Sequence, residues 1–194
     1  MTEVALFPLS QIVLPQGRMK LRIFEPRYIR LVREACAGTR PFAIALLNSY
    51  VAQSHPDRIF AVATEVIVTD FTQLDDGLLG ITVEGSKRVE IIKRWQEPDG
   101  LHVANIIELA QWPEAVLLPN QQQLARELLT VFEQNPSLQA LYPAPKWENG
   151  RWLAQRWIEI LTMPPPLKQQ LMAAECATPT LEALTSWLQS QLQA

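Results

Sequence analysis

Cysteine is scarce in this sequence. Its 194 residues include only Cys36 and Cys176, and neither has a second cysteine or a histidine at metal-ligand spacing. Zinc binding and Cys-x-x-Cys redox chemistry therefore have no support, and the sequence predicts no metal and no cofactor. We expect both cysteines to be small buried hydrophobic residues.

Long apolar runs are also lacking. A membrane span needs about 20 uninterrupted apolar residues, and the best stretch is broken by Pro15, Arg18 and Lys20. The opening Met1-Thr2-Glu3 differs from the basic start of a secretory signal peptide. We therefore expect a cytoplasmic protein with no membrane partner.

Neither sign of charge dominates. The chain has 17 Lys and Arg against 20 Asp and Glu, a net charge of −3. Divided after Ala110, it has 12 basic and 13 acidic residues in front, then 5 and 7 behind. Neither part has the excess positive charge of a general nucleic-acid binder.

What is present is enough apolar sequence for a core, 48% of the residues, arranged with two different periods. In the first 110 residues, short alternating runs such as Phe60 to Val68 predict strands, with Val62 and Val66 on the single buried face. Turns are predicted at Asp75-Asp76-Gly77 and Pro98-Asp99-Gly100. From about Asn120, apolar residues recur with the period of a helix.

The fold prediction is α+β, with a mostly antiparallel β-barrel over residues 1–112 and a small helical bundle over 113–194. One helix is inserted in the barrel. It should begin at Pro26 and end at Gly38, with Ile29, Val32 and Cys36 as its apolar stripe.

Four stretches of the first part match one known family in order. They are Leu6-Phe7-Pro8-Leu9 with Val13-Leu14-Pro15, then Leu21 to Tyr28 (LRIFEPRY), Asp76 to Gly85 (DGLLGITVEG) and Lys87-Arg88-Val89. The chain resembles the Lon N-terminal, or Lon substrate-binding, domain in its stand-alone bacterial form, which is also similar to the Lon-like domain of cereblon. The resemblance implies a PUA-like barrel packed on helices, which holds unfolded or tagged polypeptide.

The resemblance also implies a protein that is not an enzyme. The sequence has neither the GxxxxGK[ST] phosphate loop of an ATPase nor a recognisable Ser–Lys peptidase segment. We expect a non-catalytic recognition module, a monomer or weak dimer, whose partner is a polypeptide or another protein. A hydrolase with unrecognised residues is the remaining enzymatic hypothesis; His55 and His102 are isolated in the sequence.

Candidate binding residues fall in two groups. Glu25 and Arg27-Tyr28 either have a structural role at the start of the inserted helix or form a polar rim around a ligand groove. In the second group, Trp95 and Trp112 flank the last predicted strand at the boundary between barrel and helices, where a cleft is the default ligand site. Trp152 is expected to pack in the core or between the subdomains, with an exposed aromatic anchor for a partner as the alternative. Arg88 belongs to the family-like stretch Lys87-Arg88-Val89.

A basic segment supports an alternative function, the binding of RNA or DNA. PUA-like barrels include RNA binders, although a solvated face neutralised by nearby Asp and Glu is the plainer interpretation. The residues of this possible positive face are Arg18, Lys20, Arg22, Arg27, Arg30, Arg33, Lys87, Arg88, Lys93 and Arg94.

Gly85 interrupts the alternation between two strand patterns. The position predicts either a positive φ or a close approach of another backbone segment. A Gly85→Val substitution should therefore destabilise the barrel.

Overall fold

A computed structural model describes residues 1–192, with side chains up to residue 190. Its first part contains six strands and one helix. They are β1 (Thr2–Leu9), β2 (Arg18–Ile23), α1 (Pro26–Cys36), β3 (Phe42–Leu47), β4 (Ile59–Gln73), β5 (Leu79–Gln96) and β6 (His102–Glu108).

The six strands form one sheet that closes on itself. Their order is β2-β5-β4-β3-β1-β6, and β5 pairs with β6 as well as with β4. The 18-residue β5 makes this closure possible, because its first half pairs with β2 and its second half pairs with β6. Only the β1–β3 pairing is parallel among these strands, so the mostly antiparallel barrel with one inserted helix is confirmed.

The central strands are buried on both faces, which corrects the prediction of one buried face for β4. Val62, Ala63 and Thr64 are consecutive and all buried. Val62 packs in the cluster formed with the helices, whereas Ala63 packs among other strand residues. A register shift between Glu65 and Val66 also breaks the simple alternation.

The apolar stripe predicted for α1 is wrong. Leu31 and Val32 are buried, whereas Ile29 and Cys36 are exposed. Cys36 is the last residue of the helix and lies two residues before the turn at Gly38 (φ +69°). The two cysteines are therefore not buried hydrophobic residues: Cys36 is exposed and Cys176 only half-buried.

The helical tail, residues 119–192, packs on the strands. A short 3₁₀ turn at Pro119–Gln121 leads into it, and Asn149 caps α4 by accepting a hydrogen bond from the Trp152 backbone N–H. Its helices are α2 (Gln122–Gln134), α3 (Pro136–Gln139), α4 (Gly150–Ile160), α5 (Pro165–Ala173) and α6 (Thr178–Leu192).

One hydrophobic cluster joins the tail to the strand region. Leu46 and Val62 of the strands and Leu14 of the β1–β2 connection belong to the same cluster as Leu128 and Trp157 of the helices. Because this core is shared, a division into two subdomains at residue 112 remains a prediction. Within residues 1–192, no helix has both the length and the apolar character of a membrane span.

Candidate functional site

An open groove of about 870 Å³ lies on the strand region. It lies between the end of β1, the start of α1, the segment 53–59 and the β5–β6 hairpin. Sites for drug-sized ligands span about 300–1,000 Å³. The groove is therefore large enough for several side chains of a ligand.

Basic side chains reach this groove from four separate elements, and no Asp or Glu lines it among the described residues. Such an arrangement favours a ligand with negative charge. The basic lining side chains, which we call the basic groove, are Arg27, His55, Arg58, Arg94 and His102.

Arg27 is held in place by its neighbours at the start of α1. It forms an ion pair with Glu25 at 2.7 Å and donates a hydrogen bond to the Gly100 carbonyl at 2.9 Å. Its guanidinium also lies 4.8 Å from the ring centre of Tyr28, which stacks on Phe7 at 4.1 Å. These contacts fix the orientation of both Arg27 and Tyr28 before any ligand arrives.

Arg58 and Arg94 face the groove without a carboxylate partner among the described residues. Arg58 donates to the carbonyls of Asn48 at 2.7 Å and Val51 at 3.1 Å, which ties the loop before it to the strands. Arg94 has no ion pair and no hydrogen bond within residues 1–190. Its donors are therefore available to a ligand.

His102 is the neutral member of the basic groove. Burial, and then the neighbouring charges of Arg94 and Arg27, lower the pKa of His102 from its ordinary value. It is therefore uncharged at pH 7, where it can donate or accept a hydrogen bond.

Arg88 lies at the junction between the strands and the helical tail. Its guanidinium donates to three carbonyls, those of Met172 (2.6 Å), Ala174 (2.7 Å) and Ala110 (2.5 Å). It also lies 5.0 Å from the ring centre of Trp112, whose indole N–H donates to Ala174 at 2.5 Å. Burial lowers the pKa of Arg88. These bonds join the two parts of the chain.

A buried ion pair forms the second fixed point of the junction. Arg156 and Glu159 of α4 are 2.7 Å apart. Glu159 accepts a hydrogen bond from the Leu14 N–H at 2.5 Å, and Arg156 donates to the Pro15 carbonyl at 3.0 Å. Burial raises the pKa of Glu159, although Arg156 acts in the opposite direction. The β1–β2 connection is thereby attached to the helices.

Of the seven residues proposed for binding, only Arg27 and Tyr28 line the basic groove. Glu25 lies next to it as the ion-pair partner of Arg27, in a shallower pocket that also includes Arg30 and Asp99. Glu25, Arg27 and Tyr28 thus stabilise the start of α1 and also lie at or beside the rim of a groove. From the sequence alone, these two roles were alternatives.

The other four residues lie elsewhere. Arg88, Trp112 and Trp152 are 3%, 1% and 3% exposed, so a polypeptide in solution cannot reach them. Trp152 packs edge-on against Tyr142 and Trp147 in an aromatic cluster of the tail. Trp112 is at the junction, as predicted, but Trp95 packs in the strand core, so its predicted place at the junction is wrong.

The single positive face suggested by the basic segment is not formed. Acidic residues neutralise five of its ten members, and Arg88 is buried, which fits the plainer interpretation of the sequence. The ion pairs are Arg18–Glu84, Arg22–Asp76, Arg27–Glu25, Arg30 with Glu34, Glu97 and Asp99, and Lys87 with Glu65 and Glu108.

Sequence reasoning missed the combination of Arg58, Arg94 and His102. A signal existed for two of them, because the turn at Pro98-Asp99-Gly100 pairs Gln96 with His102 and brings Arg94 to the same end of the hairpin. Arg58 lies in a loop whose position in space could not be predicted from local sequence.

A closed, mostly antiparallel sheet with one inserted helix and a packed helical tail defines an α+β domain. A profile of the ATP-dependent protease La (LON) substrate-binding domain matches residues 3–190. The chain belongs to this family.

Individual relatives agree with that assignment. The Lon N-terminal domain protein from Xanthomonas campestris superposes with a TM-score of 0.73 at 27% identity, covering 96% of this chain and 99% of that one. The N-terminal domain of Mycobacterium avium complex Lon protease shares the fold, with a TM-score of 0.62, 17% identity and coverage of 96% and 97%.

A curated relative is much longer than this chain. The Lon protease of Dictyoglomus thermophilum is 24% identical over 139 residues, which are 71% of this chain and 17% of that protein. The match therefore concerns one part of the protease.

Proposed function

We propose that this protein recognises unfolded or otherwise exposed polypeptide and binds it in the basic groove. Membership of a family of substrate-binding domains supports a recognition role. The observation that carries the choice of site is the open groove of about 870 Å³, whose rim includes Arg27 and Tyr28 of the family-like motif. The arginines there are accessible, unlike those of the junction.

In this proposal the polypeptide is bound and is not cleaved. Ser54 and His55 both line the groove, but no hydrogen bond joins them among the described residues. The His55 Nδ1 instead accepts the Asp57 backbone N–H at 3.0 Å. A serine nucleophile needs a base within hydrogen-bond reach, so this pair is not arranged for attack on a peptide bond.

The test uses a small disulfide-bonded protein of net charge near zero, labelled with a fluorophore. Its native form and its reduced, alkylated form have the same sequence, so they differ in exposure of the chain. The Lon-family protein is added in increasing amounts to each labelled form, and binding is followed by fluorescence anisotropy. The unfolded form should show saturable binding and the native form should show none. Gel electrophoresis of the same samples should show intact polypeptide after prolonged incubation.

Two results would contradict the proposal. Equal binding of the native and unfolded forms would indicate recognition of a folded partner. Fragments that appear with the wild-type protein and disappear with Ser54→Ala would establish a hydrolase.

A further inference from the structure

The side chains of the basic groove indicate which charge its ligand has. The protein as a whole has a net charge of −3, yet this one cavity has basic side chains from α1, segment 53–59, β5 and β6 and no acidic lining residue among the described side chains. Elsewhere on the strand region, basic side chains are mostly neutralised by carboxylates of the protein itself. Glu25 pairs with Arg27 and Asp57 lies 3.8 Å from His55, so Arg58 and Arg94 provide the positive charge of the groove that no carboxylate among the described residues neutralises.

Two of its guanidinium groups are already fixed by protein contacts. Arg27 is held by Glu25 and the Gly100 carbonyl, and Arg58 by two backbone carbonyls. Arg94 lines the same groove, and its side chain has no partner among the described residues. A guanidinium binds a carboxylate through two parallel hydrogen bonds. Because Arg27 and Arg58 need little reordering, a ligand there loses little binding energy to ordering them.

Nucleic acid fits these features less well than peptide. Single-stranded RNA or DNA binds through stacking of bases on exposed aromatic rings and a basic track along the backbone. Tyr28, the one aromatic residue that lines the groove, is stacked on Phe7 and faces Arg27. Outside the groove, Arg30, Arg22 and Lys87 are ion-paired to carboxylates of the protein, which reduces the charge available to a nucleic-acid backbone.

We propose that the basic groove binds acidic segments of polypeptide, with Arg94 receiving an Asp or Glu carboxylate. This inference rests on the proposed function and specifies its substrate class. Carboxylates inside a peptide are the ligand, since the basic side chains are spread along an open groove.

Four labelled ligands test the inference by fluorescence anisotropy at low and moderate salt. They are a 12-residue peptide with several Glu residues and an amidated C-terminus, its Gln counterpart, the Gln counterpart with a free C-terminus, and a short single-stranded RNA of the same net charge as the acidic peptide. We expect saturable binding of the acidic peptide. The Gln peptide should bind at least about tenfold more weakly, because it cannot form the charge-assisted hydrogen bonds.

Two charge-reversal variants complete the design. Arg94→Glu should weaken binding of the acidic peptide at least about tenfold, because it removes the free guanidinium and adds repulsion. Lys93→Glu makes the same change in net charge at the next position, which is exposed and does not line the groove, and should change the affinity less than about twofold.

Each alternative outcome overturns a defined part of the account. If neutral unfolded polypeptide binds and the Gln peptide binds as well as the Glu peptide, the inference is wrong while the proposed function stands. If the Gln peptide with a free C-terminus binds and the amidated Glu peptide does not, a terminal carboxylate is the ligand and the inference about acidic segments fails. Stronger binding of RNA than of acidic peptide would assign the groove to nucleic acid. Absence of binding by every polypeptide would overturn both proposals.

Discussion

Arginines and aromatic rings occur together in two regions of this protein, the junction and the basic groove. At the junction, Arg88 and Arg156 are buried and are held by backbone carbonyls and by Glu159, although Arg156 Nη1 has no hydrogen-bond partner among the described residues. In the groove, Arg94 is accessible and has no partner among the described residues. The two regions contain the same residue types and differ in the burial of the arginines and in their partners.

This contrast indicates that the two regions have different roles. A buried arginine that is held by groups of the protein itself supports the fold, and a ligand in solution cannot reach it. An accessible arginine without a partner contributes little to stability but can bind an anion. Substitutions should therefore separate stability from binding according to region.

The largest effect on stability is expected at Arg156. Arg156→Met leaves Glu159 buried without its cation, and breaking a buried ion pair from one side costs about 3–5 kcal/mol. Urea unfolding followed by tryptophan fluorescence measures the change. Arg126→Met, at an exposed position of α2, is the matched control and should change the free energy of unfolding by less than about 0.5 kcal/mol.

A double substitution sharpens this prediction. Arg156→Met with Glu159→Gln removes the uncompensated carboxylate but keeps an oxygen for the Leu14 N–H. It should recover part of the lost stability. A double variant as unstable as Arg156→Met alone would show that lost packing, not the unpaired charge, dominates.

Gly85→Val should have the next largest effect. A Cβ at this position would overlap the Leu14 carbonyl. The two backbone segments lie this close because the Gln16 N–H donates a hydrogen bond to the Gly85 carbonyl at 2.7 Å. Forcing extra atoms into packed structure costs about 1–3 kcal/mol. The control is Gly38→Ala, where no atom lies within 4 Å and only the positive φ is strained. A Gly85→Val protein of wild-type melting temperature would contradict this close approach.

Glu97 should make stability depend on pH by a smaller amount. Hydrogen bonds from Arg40, then from Arg30, lower its pKa to about 2. A carboxyl with a lowered folded-state pKa contributes stability above its ordinary pKa near 4.5, and this is lost as pH falls towards 2. Because solvent reaches the pair, Glu97→Gln should cost about 1 kcal/mol or less at pH 7.

The measurement for Glu97 is the unfolding free energy of wild type and Glu97→Gln between pH 7 and 2.5. The difference between them should shrink as the pH falls below about 4.5. Glu133→Gln, at an exposed position with no ion pair among the described residues, is the control. A constant difference across this range would show that Glu97 acts through shape and not charge.

The smallest effect on stability is expected in the groove. Arg94→Gln should change the free energy of unfolding by less than about 0.5 kcal/mol, because no protein group depends on its guanidinium. Chemical unfolding at pH 7 measures this. A loss of more than about 1 kcal/mol would mean that Arg94 is structural, and would remove the distinction between the two regions.

Much of the fold could be predicted from local sequence. Gly77 and Gly100 have φ values of +81° and +84°, as the predicted turns require, and α1 begins at Pro26. These features depend on the intrinsic backbone preferences of a few residues. The close approach at Gly85 was predicted for a similar reason, and it occurs without a positive φ.

The candidate site was harder to predict, because it depends on contacts between distant segments. The family-like motif identified Arg27 and Tyr28, but Arg58 and His102 reach the same groove only through strand pairing and a loop. Burial of Trp152 was also invisible in the sequence, since α4 is covered on nearly all sides by strands and other helices. A one-sided helical pattern does not show how many neighbours a helix has.

The most direct test of the central claim is to map where polypeptide lies on this protein. An unfolded, acidic polypeptide with a photo-activated cross-linker is bound, irradiated and digested, and the attached fragments are identified by mass spectrometry. The account predicts attachment within residues 53–59 and 94–102, around the groove, and its loss in Arg94→Glu. Attachment confined to the helical tail at residues 119–190, unaffected by Arg94→Glu, would contradict it.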